Sequence, residues 1–214
     1  MGDIVENCSG HYPMQAFLVD AHMRQQRAYA RRALIKTCMM LWDHFEEIEY
    51  RAVPGNHGEE RKDGKAYTHF SDNNDVCIFD QFADVVEHST WAEGVTVTTT
   101  DMDEPQLSMV FEEKGVKMGL AHSHQARGSS RGGEPDGRVK TWFKNLAMTR
   151  HPLGEVDILN TGHYHHYQVE DLGSGRCWKQ CPSLDGDSFW WREGGGAGSI
   201  PGMLCYLLDP ASGS

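Results

Sequence analysis

The spacing of apolar positions along the chain changes several times between a helical and a strand period. Residues 14–49 carry apolar side chains at three- and four-residue steps, which predicts one long helix with a single buried stripe. The stripe consists of Leu34, Cys38, Leu41, Phe45 and Ile48. Two shorter patterns, at residues 76–88 and 139–149, predict further helices.

Between these helical patterns lie short runs of β-branched and aromatic residues that predict strands. The predicted strands are residues 50–53, 95–100, 108–111, 116–121, 156–160, 167–170 and 204–208. The polar or glycine-rich segments 59–75, 125–137 and 194–198 are expected to be loops and turns. Alternation of strands and helices favours an α/β fold, and the length of 214 residues fits a single domain spanning residues 1–214.

Composition excludes several classes of protein. Apolar residues make up 39% and charged residues 24%, as in folded globular domains, and the net charge of −11 disfavours a general affinity for nucleic acid or anionic membrane. A phosphate-bearing substrate would therefore need local cations. The sequence has no apolar run near the roughly 20 residues of a membrane span and no secretory signal, so we expect a cytoplasmic protein without membrane contact.

Cysteine and histidine usage points to metal chemistry rather than to disulfides. The six cysteines show no paired zinc-ribbon spacing, and free thiols are expected. Histidine is frequent, with 12 in the chain, and two short clusters hold five of these residues. The clusters are His122/His124 and His163/His165/His166. Imidazoles gathered in this way are typical of metal ligands.

Three polar motifs each follow a predicted strand: GNH at residues 55–57, HSH at 122–124 and GHYHH at 162–166. A fourth, GDIVE at residues 2–6, opens the chain. Loops at the carboxyl ends of strands hold the sites of open α/β sheets. Imidazole, carboxylate and amide ligands suit manganese, iron or zinc. Two such ions about 3.5–4 Å apart would form a clamp for phosphoryl transfer, in which a bridging hydroxide attacks phosphorus.

In this order, the motifs resemble those of the calcineurin-like metallophosphoesterases. GDIVE matches the family pattern G-D-x-x-D/E, GNH is shared, GLAHSH supplies an isolated strand-end histidine, and GHYH matches G-H-x-H. The resemblance covers residues 2–166 and implies an α/β/β/α sandwich, two divalent metal ions (manganese first, with iron or zinc as alternatives) and hydrolysis of phosphodiesters. Within the family, the chain looks most like phage-encoded and SbcD-type DNA-repair nucleases, which implies DNA as a substrate and, for a phage protein, the host cytoplasm.

The resemblance also implies a role for each motif residue. Asp3 would bridge the two metals. Asn56, His122 and His163 would complete one metal site, and His165 would belong to the other. These assignments make the four motifs parts of one metal centre.

For the chemistry, the resemblance gives His57 contact with the phosphate and protonation of the leaving oxygen. Glu59 is the expected acidic partner that orients His57, although Gly58 separates the two where the family has none. His124 is a further candidate for substrate contact. In the basic loop that follows, Arg127 and Arg131 are predicted to contact phosphate or the DNA backbone, with a solvated loop as the alternative.

The chain departs from the family at its start, because no D-x-H motif precedes Gly2. Asp20-Ala21-His22 has the letters but falls inside the predicted helix and after the second motif. We therefore expect an N-terminally incomplete domain that lacks its first strand, leaves a sheet edge unpaired and has one incomplete metal site. Such a chain would be completed by a further N-terminal fragment or a partner chain.

Other functions remain open at this point. The chain could hydrolyse a small nucleotide instead of DNA, and Arg127 and Arg131 would distinguish the two by acting on long substrates only. It could also be a non-catalytic metal-binding fragment or subunit. A mononuclear oxygenase is disfavoured, because its two-histidine, one-carboxylate set does not use the asparagine of GNH. Trp178, Trp190 and Trp191 are expected to be core residues rather than stacking platforms for bases.

Overall fold

The computed structural model describes residues 1–101, 103–104, 106–126, 135–185 and 200–209, and the chain divides into two compact units, Met1–Leu107 and Ser108–Ser214. The helices are α1 (Gln15–Leu18), α2 (Met23–Trp42), α3 (Asn74–Glu87) and α4 (Pro135–Met148). The strands are β1 (Ile48–Arg51), β2 (Arg61–Lys62), β3 (Lys65–Ala66), β4 (Val95–Thr98), β5 (Ser108–Glu113), β6 (Val116–Ala121), β7 (Ile158–Thr161), β8 (Gln168–Gly173) and β9 (Arg176–Gln180). The predicted α/β class is confirmed, and the single domain of residues 1–214 stays a prediction.

In the N-terminal unit, a parallel pair of strands carries the core. β1 pairs with β4 in a register that places Ile48 beside Val95. Helices α2 and α3 pack with this pair, and Phe82 of α3 is completely buried. The core cluster comprises Cys38, Ile48, Phe82, Val86, Ala92 and Val95. Burial of these apolar side chains is the main stabilising contribution to the unit.

The long helix predicted over residues 14–49 is wrong in its extent. It is two helices, α1 and α2, because His22 ends the intervening segment as the N-cap of α2. The His22 side chain accepts from the backbone N–H of Gln25, and the Gln25 side chain accepts from the backbone N–H of His22, which forms a capping box. The Asp20-Ala21-His22 triplet therefore precedes α2 instead of lying inside a helix. At the other end, Ile48 belongs to β1, and Phe45 is exposed.

The polar segment predicted as a loop over residues 59–75 contains more structure than expected. It includes the short antiparallel β2–β3 hairpin, and α3 already begins at Asn74. Asn73 caps this helix, since its side-chain oxygen accepts from the backbone N–H of Asp75 at 2.9 Å. The segment therefore returns the chain to the region of the GNH motif.

The C-terminal unit is built on a five-stranded mixed sheet of order β5-β6-β7-β9-β8. Its inner strands β6, β7 and β9 run parallel, and the two edge strands are antiparallel to their neighbours. Trp178 of β9 is 1% exposed and donates from its indole N–H to the hydroxyl of Thr161 at 2.8 Å. This burial confirms that Trp178 is a core residue, and it packs with Leu153 and Leu159.

Several local predictions for this unit can be compared with the structure. The strands expected at residues 108–111 and 116–121 are confirmed as β5 and β6, whereas β9 was not predicted. The strand expected at residues 204–208 is wrong: residues 201–209 alternate in exposure but join no sheet. Most of the expected loop at residues 125–137, with Arg127 and Arg131, lies outside the described residues, as do Trp190, Trp191 and the turn at 194–198. No described helix is both long enough and apolar enough to cross a bilayer.

Candidate functional site

The GDIVE and GNH motifs interlock within the N-terminal unit. The Asp3 carboxylate accepts a hydrogen bond from the backbone N–H of His57 at 2.7 Å. Gly55 is required by this approach, because a Cβ there would lie 2.2 Å from Oδ1 of Asp3 and 2.3 Å from its backbone nitrogen. Asn56, between them, is 8% exposed and follows a buried run that leaves β1. Three of the predicted site residues, Asp3, Asn56 and His57, therefore lie next to one another.

The His57 ring is held by Glu6, the last residue of GDIVE. Nδ1 of His57 lies 3.1 Å from Oε2 of Glu6 and 3.2 Å from the Glu6 carbonyl. Burial alone lowers the pKa of His57, but the hydrogen bond to Glu6 and the charges of Asp3 and Glu6 raise it to about 9. The imidazolium is therefore the form present at neutral pH, and Nδ1 is the nitrogen that contacts Glu6.

The acid that orients His57 differs from the one expected. The resemblance implied Glu59, although Gly58 separates it from His57. In the structure Glu59 accepts from Nε of Arg61 at 2.7 Å, and the carboxylate at the His57 ring is that of Glu6. Tyr12 donates its hydroxyl to the other oxygen of Glu6 at 2.6 Å. Burial raises the pKa of Glu6, but the hydrogen bond and charge of His57, together with Tyr12, lower it overall. The signal was present in the sequence, since the pattern G-D-x-x-D/E ends on this acid.

A second imidazole lies against His57. The His11 ring stacks on it with a centroid separation of 4.8 Å and an interplanar angle of 12°. Burial, followed by the positive charges of His57 and Arg61, lowers the pKa of His11 to about 4, so His11 is neutral. Neither ring nitrogen of His11 hydrogen-bonds to another described residue. His11 therefore contacts the site through its stack on His57, which no sequence motif predicted.

In the C-terminal unit, the two histidine motifs meet at the end of the sheet. His122 follows β6 and His163 follows β7, and these strands are parallel with Ala121 beside Thr161. Nε2 of His122 lies 3.2 Å from Nδ1 of His163. Two imidazoles that bind one tetrahedral ion at 2.0–2.1 Å place their nitrogens roughly 3.3 Å apart. The observed separation matches that geometry, and His122 is only 2% exposed.

The remaining histidines of these motifs are more peripheral. The His124 ring centroid lies 5.5 Å from that of His122 and 6.3 Å from that of His163, so His124 belongs to the same cluster. The His165 side chain is exposed, and His166 is half-buried. His163 and His165 are expected to diverge, since both have left-handed backbone conformations (φ 73° and 59°) instead of the strand geometry that would align them.

Left-handed conformations recur at the motif residues of both units. Asp3 has φ 51° and Ser123 has φ 73°, in addition to the two histidines of GHYHH. Non-glycine residues rarely adopt this region, and its strain concentrates at sites where surrounding contacts enforce it. Within the C-terminal unit, the paired imidazoles of His122 and His163 suit a divalent ion of the manganese, iron or zinc type. Asp3 and Asn56 lie in the N-terminal unit, and the imidazoles lie in the C-terminal unit.

Comparison with known proteins gives partial structural likenesses. No protein-family model and no curated protein matches the chain. Among solved structures, Vps29 complexed with zinc from Entamoeba histolytica is 28% identical (TM-score 0.29) over 50% of this chain and 52% of that one. Vacuolar protein sorting 29 from Cryptosporidium parvum is 19% identical (TM-score 0.30), over 50% and 53%. A predicted phosphoesterase from Streptococcus pneumoniae TIGR4 is 12% identical (TM-score 0.35), over 74% and 68%.

The chain spans about half the length of the Vps29 structures that it matches. With TM-scores this low, these likenesses establish neither a family nor an activity for it. The function proposed below therefore depends on the chain's own motifs and contacts.

Proposed function

We propose that the chain is a metal-dependent phosphoesterase that hydrolyses phosphodiesters. The observation that carries the proposal is the interlocking of GDIVE with GNH: Asp3 accepts from the backbone of His57, and Glu6 binds its ring. These contacts place a carboxylate proposed to bind metal, that of Asp3, next to the protonated histidine, His57. That combination is what acid-assisted cleavage of a phosphate ester needs.

In this proposal the metal ligands come from all four motifs. They are Asp3, Asn56, His122, His163 and His165. Bound divalent ions would supply Lewis-acid stabilisation of charge on the phosphoryl oxygens. Manganese is the proposed ion, with iron or zinc as alternatives, because the donors are nitrogen and oxygen and include no thiolate. The number of ions bound per chain distinguishes one complete site from two.

His57 is proposed as the group that contacts the phosphate and protonates the leaving oxygen. Glu6 fixes the ring through Nδ1, so Nε2 is available to donate. The raised pKa of His57 keeps the ring protonated before the reaction, which an acid catalyst requires. Glu6 stabilises the same imidazolium and restricts its rotation. His124 remains a candidate for substrate contact.

DNA is the proposed substrate, and a small nucleotide is the alternative. A DNA nuclease needs backbone contacts beyond the scissile phosphate, and Arg127 and Arg131 are the proposed source. Substitution of both arginines by alanine would lower hydrolysis of an oligonucleotide while leaving an aryl phosphodiester unaffected. If both substrates are affected equally, or neither is, the small-nucleotide alternative is favoured.

The experiment that tests the proposal is manganese-dependent hydrolysis of bis(p-nitrophenyl) phosphate by the purified chain. Asn56→Ala and His163→Ala should abolish it. Asn145→Ala and His44→Ala are matched controls, because they remove exposed side chains of the same two types elsewhere in the chain. Folding is checked by circular dichroism and metal binding by calorimetry.

The outcomes separate the competing functions. Loss of hydrolysis in the two site variants and not in the controls supports a phosphoesterase. A folded chain that binds manganese and hydrolyses nothing overturns the catalytic proposal in favour of a metal-binding subunit. A folded chain that binds no manganese, iron or zinc contradicts both.

A further inference from the structure

Asp75, at the start of α3, is bonded to both motif loops of the N-terminal unit. Its side chain is 1% exposed. Oδ2 accepts from the backbone N–H of Asp3 at 2.8 Å and from that of Gly55 at 2.8 Å, and Oδ1 accepts from the backbone N–H of Ile4 at 3.0 Å. One buried carboxylate thus binds GDIVE and GNH at the same time, although it belongs to neither motif.

The two residues before Asp75 strengthen this attachment. Asn73 donates from its amide to the carbonyl of Gly55 at 2.9 Å, and Asn74 donates to the carbonyl of Gly58 at 2.9 Å. A Cβ on Gly58 would lie 2.7 Å from Oδ2 of Asp75, so the loop packs directly on the carboxylate. The N-terminus of α3 therefore contacts both the N–H and the C=O groups of the GNH loop.

The contacts made by Asp75 explain how Asp3 keeps an unfavourable conformation. Asp3 has φ 51°, which a non-glycine residue holds only where its surroundings over-determine it. The Asp75 carboxylate accepts hydrogen bonds from the backbone N–H groups of Asp3 and Ile4, which lie on either side of the Asp3 backbone carbons. A buried carboxylate is costly unless its oxygens are hydrogen-bonded, and here three N–H groups meet that need.

We infer that Asp75 is a positioning residue that holds Asp3 and the Gly55-Asn56 segment in the arrangement that binds metal. It does not contact the metal or the substrate. The metal role rests on the proposed function, whereas the hold on the two loops is a property of the chain itself. Without Asp75, the Asp3 backbone would relax from its left-handed conformation, and its carboxylate would leave the position beside His57.

The test is a calorimetric titration of the full chain with Mn²⁺ for the wild type and three variants. Asp75→Asn keeps the shape of the side chain but replaces one accepting oxygen with a donor that faces N–H groups. We expect Mn²⁺ to bind it about 10- to 100-fold more weakly, the usual loss when the support of a ligand is removed. Asp84→Asn changes an exposed aspartate of the same helix, and its affinity should equal that of the wild type.

A third variant separates positioning from simple destabilisation. Phe82→Leu weakens the core side of α3 without touching the carboxylate, so it lowers the thermal midpoint and leaves Mn²⁺ affinity unchanged. If Phe82→Leu and Asp75→Asn both lose Mn²⁺ affinity in proportion to the fall in their thermal midpoints, the positioning role of Asp75 is overturned. Equal affinity of Asp75→Asn and the wild type overturns it as well.

Hydrogen exchange of the metal-free wild type tests the same inference even if Asp75→Asn does not fold. The amides of Asp3, Ile4 and Gly55 should be protected to the same degree as the interior of α3, and Mn²⁺ should not increase that protection. Rapid exchange at these three amides overturns the inference. A wild-type chain with protected amides that binds no Mn²⁺ overturns the proposed function, and with it the metal role of Asp75, while the attachment of the loops is retained.

Discussion

Nδ1 of His57 lies 3.1 Å from Oε2 of Glu6, which joins the last residue of GDIVE to the last residue of GNH. The same two motifs are joined a second time, by the Asp3 carboxylate and the His57 backbone. The histidine is therefore fixed at both its backbone and its ring by residues of the other motif. Such double attachment limits rotation of the ring and keeps Nε2 in one direction.

The first prediction concerns which acid serves His57. Glu6→Gln removes the charge that stabilises the imidazolium, so kcat on an aryl phosphodiester should fall, with little change in KM. Loss of an acid catalyst costs about 10²- to 10⁴-fold, and His57→Ala should approach that range, with Glu6→Gln between it and the wild type. Glu59→Gln is the control, because Glu59 pairs with Arg61. A larger loss of kcat in Glu59→Gln than in Glu6→Gln would contradict this assignment.

The second prediction concerns the ring stacked on His57. His11→Ala removes the stack and should lower kcat, since His57 gains freedom to rotate. His11→Phe keeps an aromatic face there and removes two buried ring nitrogens, so it should retain activity and raise the free energy of unfolding. Urea unfolding and steady-state kinetics measure the two effects. Equal activity in His11→Ala and the wild type, or a Phe variant as impaired as the Ala variant, would refute the role of the stack.

The third prediction tests the close approach of the two motif loops. Gly55→Ala places a methyl group within 2.2 Å of Oδ1 of Asp3, so the loops must separate. The variant should lose stability and Mn²⁺ affinity together. Gly137→Ala is the matched control, because a Cβ there meets nothing within 4 Å and Gly137 lies within α4. A helical Gly→Ala change should stabilise the chain by about 0.5–1 kcal/mol. Unchanged Mn²⁺ affinity in Gly55→Ala would mean that the approach is not needed for the site.

The sequence predicted the strands better than the helix boundaries. β-Branched runs such as Val95–Thr98 identify strands locally, because the side chains themselves favour a pleated, half-buried surface. In residues 14–49 the apolar positions keep a helical spacing although the helix itself is interrupted before α2. The sequence does not reveal the interruption, because the capping box at His22 uses residues that also occur inside helices. The apolar run at residues 204–208 has strand composition, but a strand forms only where a sheet edge accepts it.

The site was predictable where its chemistry is carried by local motifs and unpredictable where it depends on distant contacts. Asp3, Asn56 and His57 stand in short patterns that resemble a known family. The position of Glu6 at the His57 ring follows from how two loops fold together, whereas the family resemblance had suggested Glu59. Asp75 lies in a polar segment without any motif, so only the three-dimensional structure brings it to Asp3 and Gly55.

The fourth prediction is that His122 and His163 bind the same ion. Their nitrogens are 3.2 Å apart, which two imidazoles reach either by hydrogen-bonding to each other or by sharing a metal. If they share an ion, His122→Ala and His163→Ala each weaken Mn²⁺ binding, and the double variant loses less than the sum of the two single losses, because residues that act on one ligand are not additive. Calorimetry on all three variants, with His44→Ala as control, measures the coupling. Additive losses would mean that the two rings act independently in metal binding, which contradicts a shared ion. Variants that unfold more easily but bind Mn²⁺ as the wild type does would reduce the pair to a hydrogen bond between rings.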